Sequence, residues 1–289
     1  MSEWLAGTKS GQVKVDGITL HFEAMGNPAH PPVILLHGFP EFWYSWRHQM
    51  PALADAGFYV IAPDQRGYNQ SSKVGPYHAE RLAADIVQLQ EALGIARSII
   101  VGHDWGAVVA WQVAASYPDR VTRLVTMNGP HPLAYLDACR KNPRQILNSW
   151  YFFFFQIPFL PEAALRANGC AALRKLQREM VPEEYMSEQD LERYVSAWSE
   201  PGALKACISW YRAMPAQLLR REKFPKHKIA APTCVIWGLD DHALVPECCD
   251  TVDQYVEQVE IHRLPGASHH VHQFDPPKVN QLLLDFLTR

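Results

Sequence analysis

Ile99-Ile100-Val101-Gly102-His103-Asp104-Trp105-Gly106-Ala107-Val108-Val109-Ala110 reads as a short buried strand, a sharp turn and a helix, with Asp104 at the apex. The spacing is G-x-D-x-G, with Asp where the commoner elbow carries Ser. Small residues two places either side let strand and helix crowd together and push the central side chain outward. An outward side chain at the C-terminal end of a parallel strand stands where α/β sheets take their ligands. These five residues alone also describe a glycine-flanked Asp capping an ordinary helix, so the rest of the chain has to decide.

Working outward, the alternation of strand and helix patterns is plain. Val13 to Asp16 and Ile18 to Glu23 flank Asp16-Gly17, a hairpin signal. Pro32-Val33-Ile34-Leu35-Leu36 and Phe58-Tyr59-Val60-Ile61-Ala62 are continuous apolar runs, as a strand covered on both faces requires. A helix with Trp46, Met50 and Leu53 on one side lies between them, and another is predicted from about His78 to Leu93. After the elbow come a strand over Val121 to Met127 and the exit loop Asn128-Gly129-Pro130-His131-Pro132. Repeated β-α-β units imply a mostly parallel, twisted sheet flanked by helices, an α/β fold.

The alternation stops between Leu133 and Phe224, where aromatic-, Ala-, Arg- and Glu-rich helical patterns are broken by Pro158, Pro161, Pro182 and Pro201. This reads as an inserted helical lid. The β-α pattern resumes with Thr233 to Gly238, a helix near Glu247 to Val256, the strand Val259 to Leu264, and a last helix from Pro277 onward. The expected division is therefore a core over residues 1–132, a lid over 133–224, and the rest of the core over 225–289.

Composition narrows the function classes. A chain of 289 residues with 48% hydrophobic and 20% charged residues suits a globular protein with one large core. A net charge of −3 without a basic run leaves no electrostatic footprint for nucleic acid or an anionic membrane, and neither partner is expected. Met1-Ser2-Glu3-Trp4 has no charged segment leading into an apolar one, and the apolar run Tyr151 to Phe155 is far too short to cross a bilayer. Six cysteines without a C-x-x-C (Cys139, Cys170, Cys207, Cys234, Cys248 and Cys249) read as reduced, mostly buried thiols of a cytoplasmic protein. The adjacent Cys248-Cys249 is taken as helix packing. No cofactor or metal motif is apparent, and a monomer or homodimer is expected.

The ordered set His37-Gly38-Phe39-Pro40, Asp64-Gln65-Arg66-Gly67-Tyr68, Gly102-His103-Asp104-Trp105-Gly106, a helical insert, Trp237-Gly238-Leu239-Asp240-Asp241 and Gly266-Ala267-Ser268-His269 resembles the α/β-hydrolase fold in its epoxide hydrolase branch. The likeness spans nearly the whole chain, and the order nucleophile, acid, histidine agrees with that fold. It implies Asp104 as nucleophile, Asp241 as the acid, His269 as the base, and an oxyanion hole from the backbone N–H groups of Phe39 and Trp105. Asp240 is then a turn residue beside the acid, His103 a structural hydrogen-bonder pointing away from Asp104, and His272 a surface residue. Between the tandem histidines, the Gly-x-Ser-His pattern selects His269 over His270. Trp43, Tyr44 and Trp46 are assigned to packing.

The chemistry suits an Asp nucleophile on its own terms. A serine hydroxyl needs a base before it can attack, whereas a carboxylate with a pKa of about 4 is already ionised at neutral pH. Histidine is left free for a second step, in which it activates the water that hydrolyses the resulting alkyl ester. An opening epoxide also needs an acid that is neutral at pH 7, and tyrosine, with a pKa of about 10, supplies one. The resembled enzymes carry two lid tyrosines, one ahead of a Phe-Gln-x-Pro segment and one in a Trp-Tyr-Arg segment. Tyr151, before Phe155-Gln156-Ile157-Pro158, and Tyr211, in Trp210-Tyr211-Arg212, stand at those positions. Where some relatives have Gln after the first tyrosine this chain has Phe152, which makes that wall more apolar. The phenylalanine run with Trp198 and Trp210 points to a small hydrophobic epoxide.

Two rival readings differ in named residues. A haloalkane dehalogenase shares the Asp nucleophile and the following Trp but commonly carries Asn after His-Gly, where this chain has Phe39. A haloacid dehalogenase has arginines beside the nucleophile, where this chain has Trp105 and Gly106. The third possibility is a ligand-binding homologue poor in turnover, against which the complete set Asp104, Asp241, His269, Tyr151 and Tyr211 argues.

Overall fold

The computed structural model describes residues 7–220, 224, 225 and 227–289. Met1-Ser2-Glu3-Trp4 and residues 221–223 of the anticipated lid lie outside the described residues. Asp16 and Gly17, both with positive φ (38° and 79°), form the turn that joins β1 (Lys9–Val15) to β2 (Ile18–Met25) as an antiparallel hairpin. The remaining strands are β3 (Pro32–Leu36), β4 (Tyr59–Pro63), β5 (Ser98–His103), β6 (Val121–Met127), β7 (Thr233–Gly238) and β8 (Val259–Leu264). They complete an eight-stranded sheet in the order β1-β2-β4-β3-β5-β6-β7-β8. From β4 to β8 every neighbouring pair is parallel.

Alternation along the central strands sorts their side chains onto two faces. Ile34, Leu36 and Ile100 pack with α2 (Ala79–Ala92) and α3 (Trp105–Ser116), whereas Val33, Leu35 and Val101 pack with α1 (Gln49–Asp55) and the last helix. The apolar runs of the sequence are therefore strands buried on both sides. Trp46, Met50 and Leu53, expected on one side of a helix, are almost fully buried in the second of these layers.

Between β6 and β7 the described chain is helical: α4 (Pro132–Lys141), α5 (Pro143–Asn148), α6 (Trp150–Phe154), α7 (Leu160–Met180), α8 (Glu188–Ser199) and α9 (Ala203–Arg220). Helix α7 is interrupted at residues 167–170 by non-helical backbone, and α8 opens with a Ser187–Asp190 capping box. No helix among the described residues is long and apolar enough to cross a membrane.

One expected helix is absent. Residues 247–256 form two separate 3₁₀ turns, Pro246–Cys249 and Val252–Gln254. The segment is pinned sideways to α4 and the start of α5: Asn142 donates to Glu247, and Tyr255 donates to Asp137 at 2.6 Å. Cys248 and Cys249 thus pack in a looped segment; both are buried, and all six cysteines are unpaired. After β8 come a short α10 (Val271–Phe274) and α11 (Pro276–Leu287), whose N-cap is Asp275.

Candidate active site

The elbow closes because two positions lack a Cβ. A methyl group on Gly106 would lie 2.0 Å from the Leu36 carbonyl oxygen, and one on Gly102 would lie 2.4 Å from that of Gly106. Strand β5 and helix α3 can touch only with glycine at both. The tight turn throws Asp104 into a backbone conformation that L-residues seldom adopt, φ 50° and ψ −119°. Its carboxylate makes no capping bond to the start of α3, unlike that of an ordinary helix-capping Asp.

Three other strand ends converge on it. Beyond β3, the Phe39 N–H donates to Asp104 Oδ1 at 2.8 Å. Beyond β8, His269 brings Nε2 to 3.4 Å from Asp104 Oδ2. Beyond β7, Asp241 Oδ2 lies 2.6 Å from His269 Nδ1. Asp241 is fixed in turn: Oδ1 accepts from the Ala243 and Leu244 N–H groups at 2.7 and 3.0 Å, and Oδ2 accepts from Asn128 at 2.8 Å. Asn128, just past β6, also accepts from the Gly238 N–H, tying the ends of β6 and β7 together. Asp240 is exposed and makes a backbone bond to Ala267, as expected of a turn residue.

The charges set the protonation state. Burial disfavours an imidazolium at His269, but the carboxylates of Asp241 and Asp104 outweigh it and hold this histidine well above the usual range. Burial likewise opposes the charge of Asp241, and His269 with Asn128 and the backbone donors pulls its pKa below the ordinary carboxylate value. The free site is thus an Asp–imidazolium–Asp array.

Tyr151 and Tyr211 come from α6 and α9 to the opposite side of Asp104, with ring centroids 5.9 Å apart. Burial and then the Asp104 charge raise both phenols well above 10, so both are neutral donors at any physiological pH. The Trp105 ring meets the Tyr211 ring edge-to-face at 5.0 Å. These groups line a cavity of about 240 Å³ whose walls include Val108, Leu136, Phe152, Met214 and Leu244. Phe152 makes its wall apolar, as anticipated. Trp198 and Trp210 do not line it: their indole N–H groups bond the carbonyls of Pro40 and Arg66, so they anchor helices α8 and α9 onto the sheet.

Behind Asp104 lies a polar cluster that the sequence did not disclose. Glu41 is 1% exposed and accepts from the Gly38 N–H at 2.8 Å and from Gln273 at 2.8 Å. His103 turns away from Asp104, with Nδ1 2.7 Å from Glu41 and Nε2 donating to the His269 carbonyl at 2.9 Å. His272, expected on the surface, is instead completely buried, 3.5 Å from Glu41 and against the Trp46 ring. The turn Val271–Phe274 carries it inward, and burial holds it neutral. His270 is also fully buried and pushed down to about 3 by that burial, and it is His269 that reaches both Asp104 and Asp241. Glu41 follows Pro40 directly in the His37 loop, and a glutamate beside that motif was the only signal available.

The chain resembles known proteins along nearly its whole length. Residues 31–276 match the alpha/beta hydrolase fold family model. The chain is 38% identical over 284 residues to AB hydrolase superfamily protein YfhM of Bacillus subtilis, covering 97% of this chain and 98% of that one. It is 35% identical over 287 residues to Epoxide hydrolase 4 of Mus musculus, covering 96% of this chain and 78% of that protein. Among solved structures, an epoxide hydrolase from Bacillus megaterium in complex with an inhibitor superposes with a TM-score of 0.88 at 32% identity, over 96% of this chain and 100% of that one.

Proposed function

The chain belongs to the epoxide hydrolase-like branch of the α/β-hydrolase fold family, a family of hydrolases, and from that premise we propose that it converts a small hydrophobic epoxide and water to a vicinal diol through an ester on Asp104. Asp104 Oδ1 is held by the Phe39 N–H, which leaves Oδ2 to attack an epoxide carbon. The C–O bond of the ring breaks, and the electron pair goes to the ring oxygen, which takes its hydrogen bond and then its proton from Tyr151 or Tyr211.

Esterification removes the charge of Asp104, one of the two that keep His269 protonated. The imidazolium gives its proton to the tyrosinate left by the first step, and the neutral His269 then takes a proton from water as the hydroxide forms a bond to the ester carbonyl carbon of Asp104. The oxyanion develops on Oδ1, opposite the N–H groups of Phe39 and Trp105. Its collapse breaks the bond to the diol oxygen, which takes a proton from the imidazolium, and the carboxylic acid left on Asp104 passes its proton to His269, restoring carboxylate and imidazolium.

The observation that carries this reading is that the neutral phenols of Tyr151 and Tyr211 line the same cavity as Asp104. They suit an oxygen leaving group, whereas a halide needs N–H donors, and Phe39 stands where a haloalkane dehalogenase commonly carries Asn. A cytoplasmic setting belongs to the same reading and rests on the cysteine pattern of the sequence. The test is a parallel screen of aryl and alkyl epoxides against haloalkanes, with Asp104→Ala and His269→Gln beside the wild type. Diol release by the wild type, none by Asp104→Ala, and a stable substrate adduct on His269→Gln are expected. Halide release without diol release would replace the reading with a dehalogenase, and neither product would leave a binding homologue.

A further inference from the structure

Among the described residues, every exposed large apolar side chain but Val74 lies between residues 136 and 160. Leu147, Trp150, Phe153 and Phe159 are 72%, 63%, 71% and 82% exposed, and Ile157 and Leu160 lie beside them on the same stretch of lid. A patch of this size with a polar rim marks a docking surface rather than ordinary surface composition. The rim is cationic. Lys141, Arg144 and Arg166 are exposed here, and the acids of this stretch, Asp137 and Glu162, are paired with Arg140 and Arg212. Next to Phe159 a shallow groove is lined by Arg166 and Lys205.

We propose that this face of the lid docks on the surface of an anionic phospholipid bilayer. Trp and Phe between basic residues is the pattern of a segment that lies in the headgroup region without crossing the membrane. Charge argues for lipid over a second copy of the chain, because two such faces brought together oppose cation to cation, whereas anionic headgroups neutralise them. The net charge of −3 conceals this, since it averages a basic lid face with a more acidic remainder.

The patch is continuous with the cavity. Helix α6 turns Trp150 and Phe153 outward and Tyr151 and Phe152 into the cavity, and Leu136 is both 37% exposed and part of the cavity wall. A hydrophobic substrate dissolved in the bilayer therefore meets an apolar path to Asp104. This last consequence rests on the epoxide reading, but bilayer docking itself does not.

The experiment is co-sedimentation of the intact chain with phosphatidylcholine vesicles, with and without phosphatidylserine, at low and high salt. Binding is expected to rise with phosphatidylserine and fall with salt. Phe153→Ser combined with Phe159→Ser should weaken partitioning on the order of tenfold or more, and Lys141→Glu about fivefold on anionic vesicles only. The double variant should keep wild-type turnover of a water-soluble epoxide; loss of turnover on every epoxide by the wild type would fail the chemistry and leave the sedimentation result standing. Absence of sedimentation with either vesicle, or an unchanged double variant, overturns the proposal. So does a concentration-dependent dimer dissolved by Phe153→Ser in a chain that ignores vesicles.

Discussion

His269 and Asp241 are joined by a 2.6 Å contact between Nδ1 and Oδ2, and this pair leaves the other imidazole nitrogen aimed at Asp104. The contact fixes which nitrogen carries the reactive proton, and its charge sets when that proton can leave. Hydrolysis of the ester needs neutral His269, so its rate should rise with pH through the pKa that the Asp241 carboxylate elevates. Asp241→Asn removes that charge. The rising limb should move to lower pH, while the plateau falls for want of a correctly held tautomer. A limb left in place, measured by single-turnover decay of the ester, would show that Asp241 does not govern His269.

The tyrosines should back one another up. Tyr151→Phe and Tyr211→Phe singly should retain part of the alkylation rate, whereas the double variant should lose about two to three orders of magnitude. Decay of an ester already formed should change much less, because Phe39 and Trp105 hold that oxyanion. Rapid-mixing measurement of both phases checks this; an unchanged alkylation rate in the double variant removes the phenols from the mechanism.

Gly38→Ala tests the position of the nucleophile without touching a reactive group. The added methyl would lie 2.5 Å from Asp104 Cβ and 2.6 Å from Oδ1, so the carboxylate must shift off the Phe39 N–H. A displacement of this kind costs on the order of a hundredfold in rate. Alkylation at the wild-type rate in a variant that melts normally would mean that the loop, rather than Asp104, gives way.

Acid should destabilise the fold through histidines that are buried neutral. Burial pushes His131 and His270 down to about 3, against about 6.5 in the unfolded chain. Between those values unfolding takes up protons, so their contribution is full above pH 6.5 and is lost as pH falls toward 3. His131→Gln should flatten the dependence of melting temperature on pH in that window. An equally steep curve would assign the acid sensitivity to other groups.

Much of this was legible in the sequence because the relevant signals are local. The elbow needs Gly102 and Gly106 beside the apex, and their close approaches to Gly106 and Leu36 show why. The strands under the site are unbroken apolar runs, and Asp241 could be told from Asp240 by its count from Trp237-Gly238. What escaped depends on which way a short turn faces. His272, expected on the surface, is carried by the turn from Val271 to Phe274 into the core beside Glu41. Trp198 and Trp210 point to a hydrophobic substrate in the sequence because aromatic residues in a lid look alike on paper. Only the positions of the Pro40 and Arg66 carbonyls separate an anchor from a wall. The helix expected over Glu247 to Val256 failed for a similar reason, since its bonds run to α4 and α5 through Asp137 and Asn142.

The central claim is that water attacks the Asp104 ester and never the epoxide. A single turnover with excess wild-type enzyme in water labelled with heavy oxygen measures it directly. The ester route transfers an Asp104 oxygen to the substrate, so the first diol should be unlabelled and the peptide containing Asp104 should gain the heavy atom. Label appearing in the first diol, with none on Asp104, would contradict the account.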